Sequence, residues 1–117
     1  MYSQGDILLF PIPFTDLSLH KKRPVLVLSK QEYNDKADDI IVAAITSVID
    51  TKPYAVVFTN SDMQEGILKV DSCVRADKIY TLSQNLAVKW FGKVRPEVVE
   101  KVKANVLDVM DEQLVTG

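Results

Sequence analysis

Arg75 and Asp77 are of types that can act together chemically, two residues apart in Ser72-Cys-Val-Arg-Ala-Asp-Lys78. On an extended strand that spacing turns both side chains to one face. A guanidinium beside a carboxylate offers a cation for a phosphate oxygen and a group that takes a proton. The same pair also fits a surface ion pair worth about 0–1 kcal/mol. Upstream, His20-Lys-Lys-Arg-Pro24 sets a titratable imidazole beside three cations. Histidine titrates near neutral pH and suits acid–base work, and arginine matches phosphate with a planar fork. A solvated basic turn with an incidental histidine is the plain alternative. Thr46-Ser47 closes an apolar run. Hydroxyls there either hold a phosphate oxygen or simply end a strand.

Those residues sit in a chain of 117 residues with 47% hydrophobic and 26% charged side chains. That balance fits an ordinary globule and excludes a disordered chain. One domain over residues 1–117 is the expectation for this length. The longest apolar run, Ile40 to Ile45, is six residues, far below the ~20 of a membrane helix. Pro11 and Pro13 interrupt the run from Ile7, so a secretory leader is not expected. A single cysteine, Cys73, excludes an internal disulfide and a cysteine-based zinc site. No phosphate loop, metal-binding helix motif or nucleophile elbow is present. A cytoplasmic protein is expected, without metal or cofactor and without a membrane.

Charge points two ways. Fourteen Lys and Arg against sixteen Asp and Glu give −2, which does not favour a nucleic-acid partner. From Glu97 onward, however, five acids face two bases, so residues 1–96 hold 12 bases and 11 acids. The acidity lies at the C-terminal end. His20 to Lys30 carries Lys21, Lys22, Arg23 and Lys30 with no acid. A local basic patch attracts phosphate, because distant charges are screened beyond about 10 Å.

Short strands must position these groups. Strands are expected at Asp6–Phe10, Pro24–Ser29, Asp39–Thr46, Tyr54–Thr59, Gly66–Val74, Ile79–Thr81 and Val88–Val94. The continuous apolar run in Asp39–Thr46 fits a strand buried on both faces. About twelve turn-rich residues from Pro11 link the first two strands, and loops of that length are often functional. After Pro96, apolar side chains fall at Val98, Val99, Val102, Val106, Val109 and Met110, which predicts a helix from about 96 to 111. Pro96 suits its first turn and Glu97 the positive end of its dipole. Six or seven strands and one helix predict a small, strongly bent, mainly β sheet or barrel capped by a C-terminal helix.

Gly5-Asp-Ile-Leu-Leu-Phe-Pro-Ile-Pro-Phe-Thr-Asp-Leu-Ser18, followed by Lys22-Arg-Pro-Val-Leu-Val-Leu-Ser29, closely resembles the opening of the MazF/PemK/Kid family. These are toxins of type II toxin–antitoxin pairs. The resemblance continues through Val42-Ala-Ala-Ile-Thr46, Ser72-Cys-Val-Arg-Ala-Asp-Lys-Ile-Tyr-Thr-Leu82, a strand with Gly92 and a C-terminal helix. It implies a small SH3-like barrel of the MazF/Kid/CcdB type, usually a homodimer. It implies sequence-specific, metal-independent cleavage of single-stranded RNA, neutralised by a cognate antitoxin. Arg23 matches the arginine of the family's Arg-Pro strand start, and Thr46 the threonine that many members pair with it. Arg75 and Asp77 match the Arg-x-Asp of the Kid branch. His20 lies in the same loop as that branch's histidine, at a different spacing. Leu17-Ser-Leu-His-Lys-Lys22 departs from the family's Gly-Ser-Glu-Gln-Gly-like stretch.

RNA is cut without metal when its own 2′-OH attacks the adjacent phosphorus, leaving a 2′,3′-cyclic phosphate and a 5′-OH. That step needs a base, an acid and cationic donors around the phosphorane. Asp77 or His20 is the expected base and Arg75 the acid or charge stabiliser. Arg23 and Thr46 are expected to hold phosphate oxygens. Lys21, Lys22, Ser47 and Lys78 are expected along a basic groove, with Phe14 and Tyr54 as stacking platforms. The alternative reading is a non-catalytic member of this fold that binds nucleic acid or a protein target such as DNA gyrase.

Overall fold

The computed structural model describes residues 1–11, 21–49 and 53–112. Seven strands run in chain order: β1 (Asp6–Pro11), β2 (Lys22–Val27), β3 (Asp39–Thr46), β4 (Ala55–Phe58), β5 (Met63–Glu65), β6 (Ser72–Ser83) and β7 (Lys89–Val94). A short helix α1 (Gln31–Lys36) joins β2 to β3, and α2 (Pro96–Met110) follows β7. All seven strands form one antiparallel sheet in the order β4-β6-β3-β2-β1-β7-β5. The sheet curls into a half-barrel.

Alternation along each strand builds two cores, one per face. Ile7, Leu26, Ala43, Ile45, Val56, Phe58, Val74, Ala76 and Val94 bury one face against Val98, Val99 and Val102 of α2. Leu8, Phe10, Val25, Val27, Ile40 and Val42 bury the other, with Tyr2, Tyr80, Leu82 and Ala87 packed over them. Covering both faces explains why β3 reads as an unbroken apolar run. Ile40, Val42 and Ala43 are fully buried within the chain itself. The apolar period of α2 is used for its first three turns. Val109 and Met110, at 40% and 70% exposure, face outward.

Three expected elements differ. Gly66–Val74 is not one strand: β5 ends at Glu65 and β6 begins at Ser72. Gly66 turns the chain at φ +81, and a Cβ there would stand 2.5 Å from the Phe91 carbonyl oxygen. Only glycine accommodates both the left-handed backbone and that close approach. Ile79–Thr81 is not separate either but belongs to the second half of β6. Tyr54 lies outside β4, because its φ of +67 leaves the extended region.

Helix α1 has no periodic apolar signal; one buried residue fixes it. Asn34 donates to the Tyr2 carbonyl at 2.9 Å and the Ser29 carbonyl at 3.0 Å, and its side-chain oxygen accepts from the Ser29 hydroxyl at 2.5 Å. Gln84, at the far end of β6, donates to the Asn34 carbonyl at 2.8 Å and the Ala37 carbonyl at 3.0 Å. Replacing Asn34 with alanine strands buried acceptors and is expected to cost about 1–3 kcal/mol. A urea titration reads this as a lower midpoint at unchanged slope; an unchanged midpoint would show that the network holds nothing together.

Candidate active site

The centre of the site is an irregularity in β6. Ala43 pairs with Ile79, and its neighbour Ala44 pairs with Arg75. Ala76, Asp77 and Lys78 therefore have no partner on β3. Extra residues of this kind bend a strand and re-aim its side chains. On the other side Ala55 pairs with Arg75, and the Ala76 amide donates to the Tyr54 carbonyl at 3.1 Å. The Ala76 side chain is buried in the core against α2. The bulge is thus pinned at its first residue.

Arg75 and Asp77 meet across this bulge. Arg75 Nε donates to Oδ1 of Asp77 at 2.8 Å, and Nη2 donates to Oδ2 at 2.7 Å. This is a two-pronged charge-assisted fork, stronger and more directional than a single contact. The side chains are 14% and 31% exposed, so the arginine is largely enclosed while the carboxylate reaches solvent. The fork is the main reason that the Asp77 carboxyl lies below its ordinary value; partial burial opposes this, and the charges of Arg75 and Lys78 add to the lowering. Asp77 is therefore a carboxylate at neutral pH.

Strand register places the other candidates. Thr46 pairs with Cys73, two residues along from Ala44 and Arg75, and Val25 pairs with Ala44. Carried two residues further, that register sets Arg23 opposite Thr46. Paired residues project to the same face. Arg23, Thr46 and Arg75 thus share the face that farther along holds Phe10, Val25 and Val42. Strand spacing and rise put the backbones of Arg23 and Arg75 roughly 12 Å apart. The Thr46 hydroxyl oxygen accepts from the Val48 amide at 3.1 Å, which ends the strand. A hydroxyl that accepts still has its own hydrogen to donate.

Lys21, Lys22 and Ser47 are exposed, Lys22 in the row next to Arg23 and so on the other face by alternation, and Lys78 is half-buried in the bulge. Tyr54 stands at the rim, 37% exposed. His20 and Phe14 lie outside the described residues. Two features had no signal in residue types. The left-handed backbone at Tyr54 is an arrangement that L-residues adopt at a cost on the order of 1–2 kcal/mol. Cys73, fully enclosed, donates to the Val48 carbonyl at 3.7 Å and so ties the β3 exit to β6. Among the described residues no helix is long and apolar enough to cross a membrane.

An antiparallel half-barrel of seven strands closed by a C-terminal helix is the fold of the MazF-type toxins. An endoribonuclease solved with its cognate antitoxin from a mycobacterial species superposes with a TM-score of 0.77 at 20% identity, covering 94% of this chain and 95% of that one. The MazE–MazF complex of Deinococcus radiodurans gives 0.74 at 18% identity over 96% and 97%. The Mycobacterium tuberculosis toxin MazF-mt6 gives 0.72 at 19% over 92% and 98%. At these identities the likeness establishes the fold. No curated protein matches the sequence. Residues 3–110 match the PemK-like, MazF-like toxins of type II toxin–antitoxin systems, and the chain belongs to that family. The resemblance read from the Gly-Asp opening and the Arg-Pro strand is thereby borne out.

Proposed function

We propose that this toxin is a sequence-specific, metal-independent endoribonuclease acting on single-stranded RNA in the cytoplasm. The Arg75–Asp77 fork, held in a strand bulge on the face that carries Arg23 and Thr46, is the observation that supports this reading most. Asp77 is ionised, and Arg75 occupies only part of its acceptor capacity. It takes the 2′-OH proton as that oxygen attacks phosphorus. Arg75, next to it, stabilises the phosphorane as acid or charge stabiliser, donating a hydrogen bond to the 5′-oxygen as the P–O5′ bond breaks. That oxygen leaves as 5′-OH with a proton drawn through the guanidinium or from water. Arg23 and the Thr46 hydroxyl hold the non-bridging oxygens. Lys21, Lys22, Ser47 and Lys78 follow the backbone of the strand. Incubation of the purified protein with a long single-stranded RNA in EDTA tests this: discrete fragments are expected, and intact RNA would contradict it.

The lowered carboxyl gives a signed pH prediction. With Asp77 as base, single-turnover cleavage stays level from pH 7 to 5 and falls only below the ordinary aspartate value of 3.8. A histidine base would instead lose rate below about 6.5. A midpoint there would assign the step to His20. The fork's contribution to stability has the same sign: it is present above the unfolded carboxyl's pKa and is lost as pH falls through the lower folded value.

Partners complete the proposal. Relatives of this fold are solved with cognate antitoxins. An acidic, amphipathic antitoxin segment competes with RNA phosphates for Arg23 and Lys22 and so silences this toxin. A symmetric homodimer is the proposed assembly. Val48, Ile49 and Val57, exposed at the β4 side of the sheet, supply apolar surface for such an assembly.

A further inference from the structure

We infer that Tyr54 is a positioning residue for the Arg75–Asp77 pair and acts through its left-handed backbone rather than through its ring. The inference rests on the catalytic reading of that pair. Ala55 pairs with Arg75 at the end of the β4–β6 ladder. The next step would set Tyr54 opposite Ala76. Tyr54 supplies that step with its carbonyl alone, accepting from the Ala76 amide at 3.1 Å while its φ of +67 turns the chain away from the sheet. Ala76 separates Arg75 from Asp77 and begins the stretch of β6 without a β3 partner. Its methyl is buried in the core and its amide is held by Tyr54. These two attachments fix the direction in which the chain leaves Arg75, and hence where Asp77 meets the guanidinium.

A strained non-glycine residue beside a functional pair is the pattern in which strain serves a site. Glycine occupies the left-handed region at no cost, asparagine tolerates it, alanine resists it, and a β-branched side chain resists it most. A backbone role therefore ranks variants by conformation. A stacking role for the ring ranks them otherwise, since Gly, Asn, Ala and Ile all lack an aromatic face.

The test compares Tyr54→Gly, Tyr54→Asn, Tyr54→Ala and Tyr54→Ile in the full chain. Single-turnover cleavage at saturating enzyme is expected to rank Gly and Asn above Ala, and Ala above Ile, with Ile at least tenfold below Gly. NMR titration of the Asp77 carboxyl, with Arg75 and Lys78 as its neighbouring charges, needs no RNA. It is expected to move upward toward the ordinary value in Tyr54→Ile but not in Tyr54→Gly, and exchange of the Ala76 amide is expected to quicken in step. Equal rates in all four variants, or an Asp77 titration indifferent to the residue at 54, would overturn the inference. If Tyr54→Ile does not fold, the order of Gly and Ala decides. If the wild-type protein cleaves no RNA, the endoribonuclease reading fails, and the titration still decides the role of Tyr54.

Discussion

Arg75→Ala is expected to slow single-turnover cleavage of a saturated RNA by ~10²–10³, the usual cost of removing one pre-placed donor from a developing oxyanion. The loss has two sources. The guanidinium no longer faces the phosphorane. Asp77, freed from its 2.8 and 2.7 Å bonds, also loses the partner that holds it ionised and aimed. Its carboxyl therefore returns toward the ordinary value, and the low-pH limb of the rate profile moves upward with it. A plain surface ion pair predicts something different: normal cleavage and a stability loss of at most about 1 kcal/mol. Single-turnover conditions separate the two readings, because they report chemistry rather than RNA affinity.

Asp77→Asn is expected to cost ~10²–10⁴, the range for loss of a general base. The amide preserves size and still offers an oxygen to Arg75, so the fold persists while proton transfer fails. Raising pH should not rescue this variant, since no carboxyl is left to ionise. Lys101→Ala, on the exposed side of α2, is the matching control and should cleave as the wild type does. Full activity in both folded Arg75→Ala and folded Asp77→Asn would move the site to Arg23 and Thr46 alone.

How much of this was legible depended on whether local pattern or tertiary contact decided each element. β3 was read at its observed limits, Asp39–Thr46, because burial on two faces writes an unbroken apolar run. The start of α2 followed from Pro96 and the spacing of Val98, Val99 and Val102. Helix α1 was invisible because its six residues, Gln31–Lys36, carry no periodic apolar face. Its position comes from Asn34, which finds its partners in Tyr2, Ser29 and Gln84. In β6 the polar Arg75-Ala-Asp-Lys78 falls between two expected strands, Gly66–Val74 and Ile79–Thr81, whereas it is a bulge inside one long strand.

The site was legible in its residues but not in its geometry. Two-residue spacing paired Arg75 with Asp77 correctly, and the structure joins them in a fork. Alternation holds through them, because Ala76 between them faces the other core, while three residues of β6 there have no β3 partner. The ring of Tyr54 suggests stacking, while its unusual property is a backbone angle that composition does not record. Register, read from Val25 opposite Ala44 and Arg75 opposite Ala44, places Arg23, Thr46 and Arg75 on one face. No spacing along the chain reveals that, because the three lie on three different strands.

On the proposed mechanism, this chain's own side chains direct the 2′-OH of RNA against the adjacent phosphorus without metal. Mapping the ends of the cleavage products formed in EDTA tests it most directly. The expected result is 2′,3′-cyclic phosphate on one fragment and 5′-OH on the next, formed by the wild-type protein and strongly reduced in Arg75→Ala. Intact RNA, or fragments ending in 3′-OH and 5′-phosphate, would contradict it.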